Sequence, residues 1–214
     1  MTLLRRESLR QAISPDTPIA DRLVFTPLLD PKQVGPASVD LRLGTEFLLL
    51  RKPRGSGLDP ASATHDDFER LQEKVSIPLG EPFWLHPQQF VLGVTLEYMR
   101  VPAHMGGYVL SRSSWGRVGL LVATAIMVQP GYTGTLTLEL VNEGDSPIAL
   151  YPGLRVAQLA VHTLDHPTED PYKGREAKYS SPTGPQVSRL AWDREEMDRV
   201  KRLRARMETL DQAT

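Results

Sequence analysis

The sequence has no cysteine, no long apolar run and no strong charge of either sign. Without cysteine there is no disulfide framework, and no zinc site built on thiolates. No stretch approaches the roughly 18–20 apolar residues needed to span a bilayer, so no membrane segment is expected. Arg5, Arg6 and Glu7 put charges where the apolar part of a signal peptide would begin, and a cytoplasmic protein is the expectation. A formal net charge of −1 over 214 residues argues against a protein that coats nucleic acid, because such binding rests on an excess of Lys and Arg. Any basic residues that matter must act locally, on a small anion. Metal-ligand spacing is missing as well. His65, His86, His104, His162 and His166 form no short cluster, and the pair His162 and His166 straddles the end of a strand pattern and a turn, not one helix face. No metal held by protein ligands alone is expected.

What is present is β pattern and turn residues. Hydrophobic residues make up 40% of the chain, enough for one domain with a real core. Segments near 38–43, 45–51, 90–97, 106–111, 118–123, 135–142 and 156–163 are rich in Val, Leu and Thr. The turns between them carry Pro87, Pro102, Pro130-Gly131 and Pro152-Gly153, the punctuation of short strands. Many strands without alternating long helices give a mainly β barrel or sandwich. A weak amphipathic pattern ended by Pro15 predicts a short helix over 2–13. The polar stretch 53–75 reads as a loop with a helical turn inserted between strands. At the C-terminal end Asp193 caps a helix whose apolar positions are Met197, Val200, Leu203, Met207 and Leu210. Trp192 and Met197 are placed as a hydrophobic staple. Such a helix packs on its own domain or on a neighbouring subunit.

Two segments carry chemistry. In Thr135-Leu-Thr-Leu-Glu-Leu-Val-Asn142 the leucines alternate with Thr135, Thr137 and Glu139, so Glu139 leaves the strand on the face opposite the leucines. Upstream, Arg112-Ser-Ser-Trp-Gly-Arg117 supplies two guanidinium forks, two hydroxyls and the backbone donors of a turn, the equipment that binds phosphate oxygens. Taken singly, the first also reads as a solvated strand carboxylate and the second as a surface turn.

Together they resemble the deoxycytidine triphosphate (dCTP) deaminases, relatives of the trimeric deoxyuridine triphosphatases (dUTPases). The resemblance extends to Gly35-Pro-Ala-Ser-Val-Asp-Leu-Arg-Leu-Gly44, to Tyr172-Lys-Gly-Arg-Glu-Ala-Lys-Tyr179, and to Gly184-Pro185 with Ser188-Arg189. It leaves out the region near 53–75 and the last 20 or so residues. It implies the distorted jelly-roll or β-barrel of the dUTPase-like superfamily, with short terminal helices. With the C-terminal helix read from its apolar spacing, the expected organisation is a nucleotide-binding β domain over 1–190 and an amphipathic helix over 191–214. The resemblance further implies zinc-independent conversion of dCTP to dUTP and ammonia, unlike the zinc deaminases, whose metal is held by cysteine thiolates. The resemblance assigns Glu139, Ser113 and Arg117 to catalysis. Arg112 and Ser114, with Ser113 and Arg117, contact the phosphates or position the water, Ala125 lies beside the base, and Gln129 faces the sugar. The backbone of Thr137 and Leu138 runs along the nucleoside, and Tyr172 and Lys178 close over the triphosphate. Mg²⁺ is expected to arrive on the phosphates, and a homotrimer with sites between subunits is implied.

Three positions depart from the family pattern. Gln129 replaces an acidic residue that bonds the 3′-hydroxyl and that dUTPases use to orient water. The run Leu120 to Ala125 is one residue short and lacks the family's histidine, which bears on regulation by a thymidine nucleotide. Pro182 stands where a glutamine would contact phosphate. The alternatives are therefore a dUTP or dCTP pyrophosphatase, alone or as a second activity giving dUMP, and a nucleotide-binding sensor without catalysis.

Overall fold

Alternation of apolar and polar side chains organises the longest strands. In a computed structural model that describes residues 2–51, 59, 62, 64–123, 127–172, 179 and 181–211, β11 (Thr133–Asn142) buries Leu136, Leu138 and Leu140 and leaves Glu139 exposed. Its neighbours are β7 (Phe90–Arg100) on one side and β9 (Leu120–Ala123) on the other. This sheet has the order β5-β4-β7-β11-β9, where β4 is Glu46–Leu50 and β5 is Gln72–Ser76; β2 (Val24–Thr26) also pairs with β7. A second sheet centres on β13 (Arg155–Thr163), which pairs with β8 (Met105–Ser111) along one edge. Along its other edge it pairs with β1 (Thr2–Leu3) and β3 (Val39–Arg42). β10 (Met127–Val128) extends this sheet beyond β8, and β6 (Phe83–Leu85) with β12 (Ile148–Leu150) forms a two-stranded ribbon.

The two large sheets share one core. Leu138 and Leu140 from β11, Leu120 and Val122 from β9, and Val109, Leu159 and Val161 from β8 and β13 belong to a single buried cluster. Phe47 and Phe83 stack within it at 4.6 Å between ring centroids. Each fully buried leucine stabilises the fold by about 1.5–3 kcal/mol. The expected mainly β, jelly-roll-like architecture is therefore found, although among the described residues the sheets do not close into a barrel.

The helices are short, as expected, with changed boundaries. Residues 2–3 are a strand, because Thr2 and Leu3 pair with Thr163 and His162 at the edge of β13. The first helix, α1, is confined to Arg6–Ile13 and turns Leu9 and Ala12 inward. Within 53–75 the expected helical turn is α2 (His65–Arg70), with Thr64 and Asp67 forming a capping box. The same stretch runs into β5, where a loop was expected; Lys74 pairs with Glu46 of β4 at 2.7 Å. By internal contacts the chain forms two units, Met1–Leu49 with Lys74–Gln186, and Leu50–Glu73 with Val187–Thr214. The second contains α4 (Arg194–Asp211), which begins directly after Asp193 and leaves Val200, Leu203 and Met207 exposed. No described helix is long and apolar enough to cross a membrane.

Candidate active site

Ser111 ends β8 by exchanging hydrogen bonds with β9: its hydroxyl donates to the Val122 carbonyl at 3.1 Å and accepts from the Val122 nitrogen at 3.3 Å. The chain then leaves the sheet at Arg112, which is extended, and makes one helical turn, α3 (Ser113–Gly116). The Arg112 carbonyl accepts from the nitrogens of Trp115 and Gly116, and the Ser113 carbonyl accepts from the nitrogen of Arg117. Ser113, Ser114 and Arg117 are exposed. Two side chains of the turn reach β13: Trp115 Nε1 donates to the Arg155 carbonyl at 2.8 Å, and Arg112 Nη1 donates to the same oxygen at 3.1 Å. Beside them opens a cleft of about 460 Å³ lined by Arg42, Arg112, Ser114, Trp115 and Arg155, among others. Three guanidiniums around one cleft suit an anion with several oxygens.

Glu139 lies on an interior strand of its sheet, between Leu92 of β7 and Ala123 of β9. Its carboxylate leaves the face opposite Leu138 and Leu140, both fully buried. Because the Leu138 side chain belongs to the core, only its backbone is available to a ligand. The β9 ladder sets Leu120 against Asn142 and Ala123 against Glu139. The chain that follows Arg117 therefore enters β9 at the Asn142 end, three residues along β11 from Glu139. Among the described residues, neither the Arg117 nor the Glu139 side chain has a hydrogen bond or ion pair.

The turn after β10 brings two other candidates together. Gln129 is exposed, and its carbonyl accepts from the Tyr132 nitrogen at 3.1 Å. Gly131 has φ of +83°, and a Cβ there would lie 2.6 Å from Cβ of Pro171. That close approach lets the Pro130 carbonyl accept from the Tyr172 nitrogen at 2.8 Å. The rings of Tyr132 and Tyr172 are 6.1 Å apart, and the Tyr172 hydroxyl accepts from the Tyr179 nitrogen at 2.9 Å. The Tyr132 hydroxyl donates to the Thr135 carbonyl at 2.7 Å, and burial pushes its pKa well above the ordinary phenol value.

Further along, the Pro182 carbonyl accepts from both the nitrogen and Oγ1 of Thr135, at 2.8 and 3.1 Å. The Gln186 nitrogen donates to Thr137 Oγ1 at 3.0 Å. The segment around Pro182 is thus laid along β11.

Residues 4–164 match the family model described as dCTP deaminase-like. The chain belongs to this family. Among curated relatives, "dCTP deaminase, dUMP-forming" of Dictyoglomus thermophilum is 45% identical over 80% of this chain and 89% of its own. "dCTP deaminase" of Natronomonas pharaonis is 46% identical over 81% of this chain and 89% of its own. A crystal structure of 2′-deoxycytidine 5′-triphosphate deaminase from Agrobacterium tumefaciens superposes with a TM-score of 0.56 at 26% identity. That match covers 75% of this chain and 48% of the other, so the chain spans about half of that protein's length.

Within this dCTP deaminase-like chain the expected residues gather in three places. Arg112, Ser113, Ser114 and Arg117 form the α3 turn, Glu139 stands on β11 beside Thr137, and Gln129 adjoins Tyr172. Ala125 and Lys178 lie outside the described residues. Asp40, Arg42, Arg155 and Gln186 were not singled out by role. Asp40 and Arg42 sit in the 35–44 motif, which was the available signal; Arg155 and Gln186 had none. Among the described residues no group of three or more His, Asp or Glu is placed to hold a metal.

Proposed function

We propose that this chain deaminates dCTP to dUTP and ammonia, supplying dUTP for pyrimidine deoxynucleotide synthesis. The observation that carries the reading is Glu139, an exposed carboxylate on an interior strand whose adjacent leucines are core. Its support is family membership and relatives that bear the deaminase name.

The chemistry needs one proton relay. Water adds to C4 of cytosine as one of its protons passes to Glu139, and the carboxyl hands that proton on to N3 of the ring. The carboxylate then takes the remaining proton from the new C4 hydroxyl and delivers it to the amino group, which departs as ammonia and leaves the uracil carbonyl. A carboxylate that begins and ends ionised balances this sequence, and positioned acid–base catalysis contributes roughly 10²–10⁴-fold. Ser113 and Arg117 position the water and the developing oxygen. Arg112 and Ser114 hold the phosphates, Gln129 accepts from the sugar 3′-hydroxyl, Ala125 leaves room for the base, and Tyr172 and Lys178 close the site.

Mg²⁺ belongs to the same proposal as part of the substrate, held by phosphate oxygens and water. The loop offers guanidiniums and hydroxyls, and its neighbour Asp40 is engaged by two arginines; among the described residues no group of carboxylates and histidines is placed to compete for it. A homotrimer with sites between its subunits is part of the same proposal, and its support is family membership. A cytoplasmic location is part of the same reading.

A second reading, continued hydrolysis to dUMP, is favoured by the relatives named dUMP-forming. Against it stands Gln129, an amide that cannot orient water as a carboxylate does. Incubation with dCTP and Mg²⁺, following ammonia and pyrophosphate together, separates the readings. Ammonia without pyrophosphate is expected. In the Glu139→Gln control ammonia release should fall at least about 100-fold with nucleotide binding retained. Undiminished release would remove Glu139 from the mechanism, and pyrophosphate alongside ammonia would establish the bifunctional enzyme.

A further inference from the structure

Asp40 lies on β3 opposite Gln158 of β13, with a side chain only 15% exposed. Its carboxylate is shared by two guanidiniums. Oδ1 is 3.5 Å from Nε of Arg112, and Oδ2 accepts from Nη1 of Arg155 at 3.1 Å. The Arg155 carbonyl in turn accepts from Arg112 and from Trp115, at the two ends of the same short turn. The loop proposed to hold the triphosphate is therefore tied to β3 and β13 at Asp40 and at the Arg155 carbonyl. A guanidinium has five N–H donors. With Nε turned to Asp40 and one Nη1 hydrogen given to Arg155, Arg112 keeps three for an anion.

We infer that Asp40 is a positioning residue for the phosphate loop. By clamping Arg112 it holds the guanidinium and the following turn ready for the triphosphate without touching the substrate. The inference rests on the reading of that loop as the triphosphate site. The physical reason is preorganisation: a long side chain that is free before binding must be ordered on binding, at a cost in affinity. A carboxylate beside Arg112 also competes with phosphate for it. The two effects have opposite signs, so one substitution decides between them.

The test measures ammonia release from dCTP, and calorimetric binding of inorganic tripolyphosphate, for the full chain and for Asp40→Asn, Arg112→Ala and the double variant. Asp40→Asn is expected to raise KM for dCTP and Kd for tripolyphosphate together by about tenfold, with kcat within about twofold. In the Arg112→Ala background the same change should add less than about twofold, because the group through which Asp40 acts is gone. A KM that is unchanged or lowered, a loss confined to kcat, or additive effects would each overturn the inference. Should Asp40→Asn fail to fold, Trp115→Phe removes the other anchor; it must raise tripolyphosphate Kd, and an unchanged value would overturn the inference equally. A wild-type chain that binds tripolyphosphate but releases no ammonia would sink the deaminase reading alone, and the binding arm would still decide Asp40.

Discussion

The hydroxyl of Thr137 accepts a 3.0 Å hydrogen bond from the backbone nitrogen of Gln186, two residues before Glu139 on the same face of β11. Two residues earlier again, Thr135 donates from its nitrogen and its hydroxyl to the Pro182 carbonyl. Docking of the C-terminal segment and the proposed proton relay therefore use one strand. Loosening the segment should be felt at the site before it is felt by the core.

Thr137→Val keeps the shape of the side chain and removes the acceptor. A neutral hydrogen bond contributes about 1 kcal/mol net, so KM for dCTP should rise roughly fivefold with kcat nearly unchanged. Limited trypsin cleavage at the lysines and arginines between 173 and 189 should accelerate in parallel. If neither KM nor the cleavage rate moves, the segment has no part in substrate binding.

Gly134 makes the same point through sterics. Its φ is +138°, and a Cβ there would overlap the Pro182 ring and lie 2.8 Å from the Pro182 nitrogen. Gly134→Ala should therefore strain the strand by about 1–3 kcal/mol and push the segment off, lowering Tm and raising KM. Gly80 is the control: its φ is +90°, but a Cβ would meet nothing within 4 Å. Gly80→Ala should lower Tm and leave KM alone. Equal KM effects from both variants would mean that backbone strain, not displacement of Pro182, is responsible.

The strand of Glu139 was legible in the sequence because Leu136, Leu138 and Leu140 repeat with period two over a half-buried sheet, and the Arg112–Arg117 turn because its residue types serve one ligand chemistry. Thr2–Leu3 escaped because two residues carry no period; only the free edge of β13 makes them a strand. Gln72–Ser76 was hidden by Glu73 and Lys74, charges that read as loop until Lys74 finds Glu46 across the hairpin. The clamp on Arg112 was illegible for another reason. Asp40, Arg112 and Arg155 are far apart in sequence, and only the pairing of β3 and β8 with β13 brings them together.

Glu97 gives a pH signature unlike that of surface carboxylates. It is fully buried on β7, and its carboxylate accepts from the Arg42 nitrogen at 2.8 Å and from Gln33 Nε2 at 2.9 Å. Loss of solvent outweighs these bonds and raises its pKa above the ordinary 4.5. The folded state then binds the proton more readily than the unfolded chain. The stabilisation is fully present below pH 4.5 and is lost as pH rises through the folded value. The difference in unfolding free energy between wild type and Glu97→Gln should therefore shrink as pH is raised from about 4 to about 7. A difference that grows over that range would contradict a raised pKa.

Gln129 tests the sugar contact. Its carbonyl is held by the Tyr132 nitrogen, which fixes the turn, while its exposed side-chain amide has no partner among the described residues. Bonds to a charged acceptor contribute about 1.5–3 kcal/mol against about 1 kcal/mol for a neutral one. Gln129→Asp should therefore tighten dCTP binding by up to about tenfold, measured in a Glu139→Gln background so that no turnover intervenes. The same carboxylate is the group that the resembled dUTPases use to orient water, so in the active background Gln129→Asp should also raise pyrophosphate release relative to ammonia. Tighter binding without pyrophosphate would confine position 129 to sugar recognition. Unchanged affinity would mean that the 3′-hydroxyl does not meet this side chain.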